Sequence, residues 1–326
     1  MDGLIDSYLR YIANVRRYSE RTLAIYRDVL SSFESYACPE GTELCSVLNA
    51  TAIRNYEVHL LDERKLGART VNLHLSVLSG FCKFLIKEGR LRSNPVHLVN
   101  RPKQEKRLPE FYREDSMAEY FNMTAHAASR DELDLLKSFG SGSGDKLATE
   151  LYKRRLHRLI VSILHNTAIR RSELIGLQCS SADLQRGVLR VRGKGDKTRE
   201  IPLVPSLCEE LELYRQAVLY YFSDSFHGNA DSPLLLTPTG RKLYPVYVDK
   251  AVKSELQGVG GITGRKSPHV LRHTLATELL NDGADLNSIK EFLGHSSLAA
   301  TQVYTHNSIE KLKSVYSCSH PRAKKK

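Results

Sequence analysis

The first hundred residues carry apolar side chains at the three- and four-residue intervals that are typical of amphipathic helices. Ser19 precedes one such segment as an N-cap residue, and Gly89 follows another as a C-cap. The predicted helices cover residues 4–15, 20–36, a segment that opens at Thr51, and residues 70–88. Helices of this kind pack into a small bundle, so we predict a four-helix domain over residues 1–100.

A cationic, proline-containing segment follows these helices. Residues 101–109 hold Pro102, Pro109 and several cations, with almost no apolar side chain, which is typical of an extended linker. We therefore predict an interdomain linker at residues 101–110 and a second domain at residues 111–326. The cations suit contact with phosphate groups, and a solvated linker with nothing bound is an equally good interpretation.

The second domain is mostly helical in pattern, with one β segment. Residues 188–192 and 198–203 alternate apolar and polar positions, and the turn residues between them predict a hairpin with Lys194 near its tip. The predicted fold class is therefore mainly α, with α+β character in the second domain. Residues 140–144 are glycine and serine alone, and we interpret them as a surface loop.

Two further helices are predicted near the C-terminal end. One covers residues 269–281 and stops at Gly283, and the other covers residues 286–293 and stops at Gly294. The first of them is predicted to bury a stripe of Leu271, Leu275, Leu279 and Leu280.

The charge balance favours a polyanionic partner. Over 326 residues, 48 Lys and Arg stand against 37 Asp and Glu, a formal net charge of +11. Nucleic acid is the commonest partner of such a chain, and a merely basic protein is the plain alternative. The length also exceeds what one core usually serves, which favours two domains.

The expected location depends on signals that the sequence lacks. No apolar run approaches a membrane span, and the first residues lack the pattern of a secretory signal. The cysteines form no CxxC pair and suggest reduced thiols. We therefore expect a cytoplasmic protein without membrane contact.

One tyrosine stands downstream of several cationic and imidazole side chains. A metal-free attack on a phosphodiester needs a hydroxyl nucleophile, cations for the phosphoryl oxygens and groups that move protons. The candidates are Arg170, Lys194, His269, Arg272, His295 and Tyr304.

Each candidate also has an ordinary interpretation. His269 and His273, four apart on a helix, could bind zinc together with His295, but Val270 stands where an HExxH motif needs glutamate and Arg272 would repel a cation. A lone tyrosine is more often packed than nucleophilic. The combination in this order is what favours catalysis.

These motifs resemble the tyrosine recombinase (phage integrase) family, most closely its Xer-type members. The resemblance covers nearly the whole chain, including residues 19–33 and 81–95 of the first domain. In the second domain it rests on SPHVLRH at 267–273, LGHSS at 293–297, YTH at 304–306, TAIRRSEL at 167–174 and GKG at 193–195. Ala168 and Ile169 replace the usual Gly-Leu of the family, and the stretch 118–156 is longer than expected.

The resemblance implies a set of roles. Tyr304 would be the nucleophile, with His269 as its base and Lys194 as the proton donor to the leaving 5′ oxygen. Arg170, Arg272 and His295 would bind the phosphate, and Glu173 would orient the cations. No cofactor and no metal are implied.

The resemblance also implies partners. Double-stranded DNA carrying a recombination site would be the substrate, bound by a homotetramer or by a heterotetramer with a paralogous recombinase. Strands would be exchanged through a Holliday junction, and residues 309–316 would dock on a neighbouring subunit or pack within their own chain.

Several functions share parts of this chemistry. Xer-like chromosome dimer resolution is the expected role, and a mobile-element integrase or excisionase is the main alternative. A type IB topoisomerase-like enzyme would nick and close DNA without a junction. A catalytically idle DNA-binding protein would have lost a site residue, and a metal-dependent nuclease would need a carboxylate cluster that the sequence lacks.

Overall fold

The computed structural model describes residues 3–38, 42–104, 110–139, 145–193, 197–222 and 229–294. Within these ranges the chain is mostly helical with one small antiparallel sheet, which confirms the predicted fold class. The chain divides into two compact units, Met1–Arg107 and Leu108–Lys326. The predicted domain limits at residues 100 and 111 stay a prediction.

The first unit is a helical bundle. Its helices are α1 Gly3–Asn14, α2 Glu20–Ala37, α3 Leu44–Val47, α4 Ala50–Val58 and α5 Ala68–Lys87, with a π-helical turn at His59–Glu63 and a 3-10 turn at Pro95–Leu98. Helix α5 lies at the centre of the bundle, because Val71, Leu75 and Leu78 on it are fully buried.

Side-chain caps mark the starts of α2 and α4 in this unit. The Ser19 hydroxyl accepts a hydrogen bond from the Thr22 amide at 3.3 Å, as predicted for α2. Helix α4 begins one residue earlier than predicted, since Asn49 and not Thr51 provides its start. The Asn49 side-chain oxygen accepts from the Ala52 amide at 2.9 Å.

The second unit is built around one long helix. Its helices are α6 Glu114–Met123, α7 Arg130–Ser138, α8 Lys146–Thr167, α9 Arg171–Ile175, α10 Pro205–Tyr221, α11 Pro245–Glu255, α12 Pro268–Asn281 and α13 Leu286–Leu293. Every residue of α8 from Arg155 to Thr167 is buried, because α10, α11 and α12 pack around it.

The second unit also contains a three-stranded antiparallel sheet of order β1-β2-β3. The strands are β1 Ala182–Asp183, β2 Val188–Arg192 and β3 Thr198–Pro202. The β2–β3 hairpin is as predicted, whereas the short β1 carried no periodic signal. In β3 the pleat turns Arg199 and Ile201 to the buried face, where Arg199 is opposite Val191 of β2.

The predicted leucine stripe of α12 is wrong at one position. Leu271, Leu275 and Leu279 are buried, whereas Leu280 is 45% exposed. Nine residues separate Leu280 from Leu271, which at 100° per residue amounts to half a turn, so the two side chains leave the helix in opposite directions.

This difference has a measurable consequence for stability. Replacing Leu279 with alanine is expected to lower the free energy of unfolding by about 2–5 kcal/mol, because a buried leucine leaves a cavity. The Leu280→Ala control is expected to cost roughly 0.5 kcal/mol or less, as for other exposed positions. Urea unfolding of the full chain measures both, and equal losses would contradict this description of α12.

Within the described ranges no helix combines the length and the apolar character needed to cross a membrane.

Candidate active site

Glu173 is the centre of a cluster of arginines in the second unit. It lies in the first turn of α9, where its Oε2 accepts from the Arg170 backbone amide at 2.8 Å and its Oε1 from Arg170 Nη1 at 2.9 Å. Arg199 of β3 approaches the same carboxylate, with Nη2 at 2.8 Å from Oε2 and Nη1 at 3.1 Å from Oε1. One carboxylate therefore holds two guanidinium groups.

The charge of Glu173 follows from these contacts. Burial alone would raise the pKa of its carboxyl group, but the hydrogen bonds from Arg199 and Arg170 outweigh burial and lower the pKa below its ordinary value. Glu173 is therefore ionised at neutral pH.

Arg272 brings a third guanidinium to the cluster from α12. It is buried, and it donates to the Ala168 carbonyl and, from Nη2 at 2.6 Å, to the Leu293 carbonyl. Arg170 Nη2 donates to the next carbonyl, that of Gly294, at 3.1 Å. Two arginines thus meet at the C-terminal end of α13, where the helix dipole favours positive charge.

The backbone conformation of Ala168 helps to place Arg170 beside Arg272. Ala168 follows α8 in the left-handed conformation, with φ of 49° and ψ of 26°. This conformation turns the chain sharply between α8 and α9, and it costs an L-residue roughly 1–2 kcal/mol relative to glycine. Ala168 stands where the family that the sequence resembles has glycine, so the substitution keeps the turn at some cost.

The cluster carries more positive than negative charge. Burial lowers the pKa of Arg272 to about 10, and the neighbouring charges of Arg170 and Arg199 act in the same direction against the opposite effect of Glu173. Arg272 still remains protonated at neutral pH. Three guanidinium groups around one carboxylate create a site that attracts an anion.

His269 lies on α12, one turn before Arg272, and is exposed. Partial burial and the nearby charges of Arg171, His273, Arg272 and Arg265 lower the pKa of its imidazole. The ring is therefore neutral at pH 7, and a neutral imidazole can accept a proton.

This lowered pKa predicts a pH profile. If His269 accepts the proton during DNA cleavage, the protonated form is inactive, and the rate rises with pH through a midpoint below 6.5, the ordinary value for histidine. Single-turnover cleavage rates between pH 5 and 8 measure the midpoint. The His269→Gln variant is expected to be slower and to lack this acid limb, and a limb retained in that variant would contradict the assignment.

Three of the sequence-predicted site residues converge in the described part of the chain. Arg170, Glu173 and Arg272 come together, with His269 on the same helix as Arg272. Lys194, His295 and Tyr304 lie outside the described residues, as do residues 140–144 and 309–316.

Arg199 is the member of the cluster that sequence reasoning missed. The sequence did hold a signal for the burial of Arg199. Residues two apart in a strand point to the same face, so Arg199 lies on the same buried face as Ile201. The partner of that cation, Glu173, is 26 residues away in sequence and could not be identified from the strand alone.

Apart from Glu173, the side chains that form the described part of the cluster are arginines, whose N–H groups are donors and do not bind metal cations. In the described ranges, no group of three or more His, Cys, Asp or Glu side chains is arranged to hold a metal ion. The zinc alternative through His269 and His273 also needs His295, which lies outside those ranges.

Comparison with known families gives two matches. Residues 147–311 match the phage integrase family, and residues 5–89 match the phage integrase N-terminal SAM-like domain.

Curated relatives match over nearly the full length. Tyrosine recombinase XerC of Chlorobaculum parvum is 32% identical, covering 98% of this chain and 94% of the relative. Tyrosine recombinase XerC of Bacillus subtilis is 33% identical, covering 99% of this chain and 98% of the relative.

Two solved structures share the fold. The Tn1549 transposon integrase in complex with transposon right end DNA has a TM-score of 0.64 at 18% identity, covering 95% of this chain and 99% of that chain. A lambda integrase dimer bound to a COC′ core site has a TM-score of 0.63 at 17% identity, covering 100% of this chain and 79% of that chain.

Proposed function

Because the chain belongs to the phage integrase family and is a tyrosine recombinase, we propose that it exchanges strands between two duplex DNA sites through a 3′-phosphotyrosine intermediate formed at Tyr304. The observation that carries this proposal is the cluster of Arg170, Arg199 and Arg272 around the single carboxylate of Glu173. Such a cluster suits a phosphoryl group that gains negative charge in the transition state.

The arginines retain donors for a phosphate. Each guanidinium has five N–H groups, and Arg170 and Arg272 each use two terminal nitrogens for the contacts with Glu173 and with backbone carbonyls. The remaining N–H groups can bind the non-bridging oxygens of the scissile phosphate through charge-assisted hydrogen bonds.

In each proposed step one phosphoester bond forms as another breaks, so the phosphorus remains a diester throughout. The Tyr304 hydroxyl attacks the phosphorus and gives its proton to His269, while the bond to the 5′ oxygen breaks and that oxygen takes a proton from Lys194. A free 5′-hydroxyl of the second duplex then attacks the phosphotyrosine and gives its proton to Lys194, while the bond to Tyr304 breaks and the tyrosine oxygen takes its proton back from His269. One diester replaces another, so the cycle needs no ATP, and the guanidinium groups supply the positive charge that the phosphoryl oxygens need.

A groove within the first unit is also suited to DNA. Arg69 and Arg101 line this groove, together with polar side chains such as Thr70 and Gln104. Two guanidinium groups beside one groove can bind the phosphate oxygens of DNA.

The biological role that we propose is Xer-like resolution of chromosome dimers in the cytoplasm. It is supported by the similarity to XerC proteins over nearly the full chain. The transposon and lambda integrases resemble this chain in fold alone, so they support mobile-element integration less strongly. The active assembly would be a tetramer on two DNA sites, composed of this chain alone or of this chain with a paralogous recombinase.

A strand-exchange experiment tests the proposal. A duplex that the purified chain selects from a randomised pool is incubated with the chain and a second, labelled copy of the same duplex. We expect Holliday junctions and exchanged strands. Relaxation of a supercoiled plasmid carrying the selected site, with no junction formed, would instead support a topoisomerase-like enzyme.

A further inference from the structure

We propose that Arg199 is a positioning residue of the strand-transfer site, which orients Arg170 through Glu173. This role rests on the strand-transfer function proposed above. Arg199 itself lies outside the sequence motifs that carry the family resemblance.

The burial of Arg199 is the first observation. Its side chain is 8% exposed, on the buried face of β3, whereas Arg190 on the neighbouring strand β2 is much more exposed and pairs with Glu200 at 3.1 Å. A buried guanidinium is costly unless a charged partner satisfies it. Glu173 is that partner, so the position of Arg199 serves the cluster.

The geometry of this pair is the second observation. Arg199 and Glu173 form two parallel hydrogen bonds, with Nη2 at 2.8 Å from Oε2 and Nη1 at 3.1 Å from Oε1. Such a fork fixes the plane of the carboxylate as well as its distance. The Nε of Arg199 has no hydrogen-bond partner in the described part of the chain, so among the described residues Glu173 supplies the hydrogen bonds that orient the guanidinium.

The same two carboxylate oxygens hold Arg170. Oε2 accepts from its backbone amide and Oε1 from its Nη1. Without Arg199, the described hydrogen bonds to the Glu173 carboxylate would come from Arg170 alone. The carboxylate and Arg170 could then move together. A displacement of about 1 Å at a reacting centre can cost roughly a hundredfold in rate.

The Arg199 guanidinium also lies beside two glycines, Gly193 and Gly294, each of which is followed in sequence by another predicted site residue. A methyl group added at Gly294 would lie 3.1 Å from the Arg199 guanidinium carbon, and one added at Gly193 would lie 3.5 Å from its Nη1. Gly294 has a φ of 65°, which also favours glycine. In sequence, these glycines directly precede His295 and Lys194.

Variants at this position separate charge from geometry. On the selected duplex, nicked beside the cleavage site, Arg199→Met is expected to slow single-turnover cleavage about a hundredfold while the Kd for DNA changes by less than about threefold. Arg199→Lys, which keeps the charge but loses the fork, is expected to be intermediate. The control Arg190→Met removes an exposed ion pair of the same sheet and is expected to cleave like the unmodified chain.

A second readout is independent of how much protein is folded. A neutral methylphosphonate at the scissile position removes the charge that Arg170 would bind. The ratio of phosphate to methylphosphonate cleavage rates is therefore expected to fall about tenfold or more in Arg199→Met. Unfolded molecules lower both rates equally and leave this ratio unchanged.

The outcomes are distinct. An unchanged ratio, or cleavage by Arg199→Met at the unmodified rate, would overturn the positioning role. If the unmodified chain forms no covalent adduct at all, the proposed function fails instead. The positioning role is then judged by hydrogen exchange of the Arg170 amide: faster exchange in Arg199→Met than in Arg190→Met supports it, and equal exchange overturns it.

Discussion

Tyr304→Phe is expected to bind DNA normally and to form no covalent protein–DNA adduct. The substitution removes one oxygen and keeps the aromatic ring, so the size and shape of the side chain change little. The expected loss of cleavage is on the order of 10⁶-fold, the scale found when a hydrolase loses its nucleophile.

Denaturing gels of the chain on a nicked duplex measure this loss. The matched control is Tyr244→Phe, which alters a tyrosine of the second unit that is 51% exposed. The control is expected to form the adduct as the unmodified chain does. A denaturant-resistant adduct from Tyr304→Phe would show that another group attacks the phosphate.

Arg272→Ala is expected to slow cleavage about 10²- to 10³-fold, the scale for removing one electrostatic donor to a transition state. Most of the DNA affinity is expected to remain, because the phosphate contacts of the rest of the protein are unaffected. The variant is also expected to be less stable, because the carbonyls of Ala168 and Leu293 lose their donor.

A matched control separates the two effects. Arg215 of α10 also donates to two backbone carbonyls, those of Cys179 at 3.1 Å and Ala182 at 2.8 Å, and neither of these belongs to the cluster. Arg215→Ala is expected to lose stability while keeping the cleavage rate per folded molecule. Equal loss of cleavage in both variants would mean that Arg272 acts only by supporting the fold.

Much of the fold could be predicted because its signals are local. The start of α2 at Ser19 and the β2–β3 hairpin each depend on a few neighbouring residues, and both predictions are confirmed. Leu280 was predicted wrongly because its apolar character outweighed its place on the helix, although the angular spacing from Leu271 already indicated exposure.

The site was predictable only where motif residues are themselves close in the fold. Arg170 and Glu173 lie three residues apart and pair as the sequence suggested. The resemblance named Arg272 as a site residue, but its approach to the end of α13 depends on packing between helices and was not predicted. Arg199 belonged to no quoted motif, and its ion pair with Glu173 appears only once β3 is placed beside α9.

The most direct measurement identifies the atom that becomes joined to DNA. The chain is trapped on the nicked duplex in the presence of EDTA and digested with protease, and the DNA-bound peptide is sequenced by mass spectrometry. We expect one peptide, modified at Tyr304 and joined to the 3′ phosphate of the cleaved strand. An adduct on another residue, a link to the 5′ end, or cleavage that EDTA abolishes would contradict the proposed mechanism.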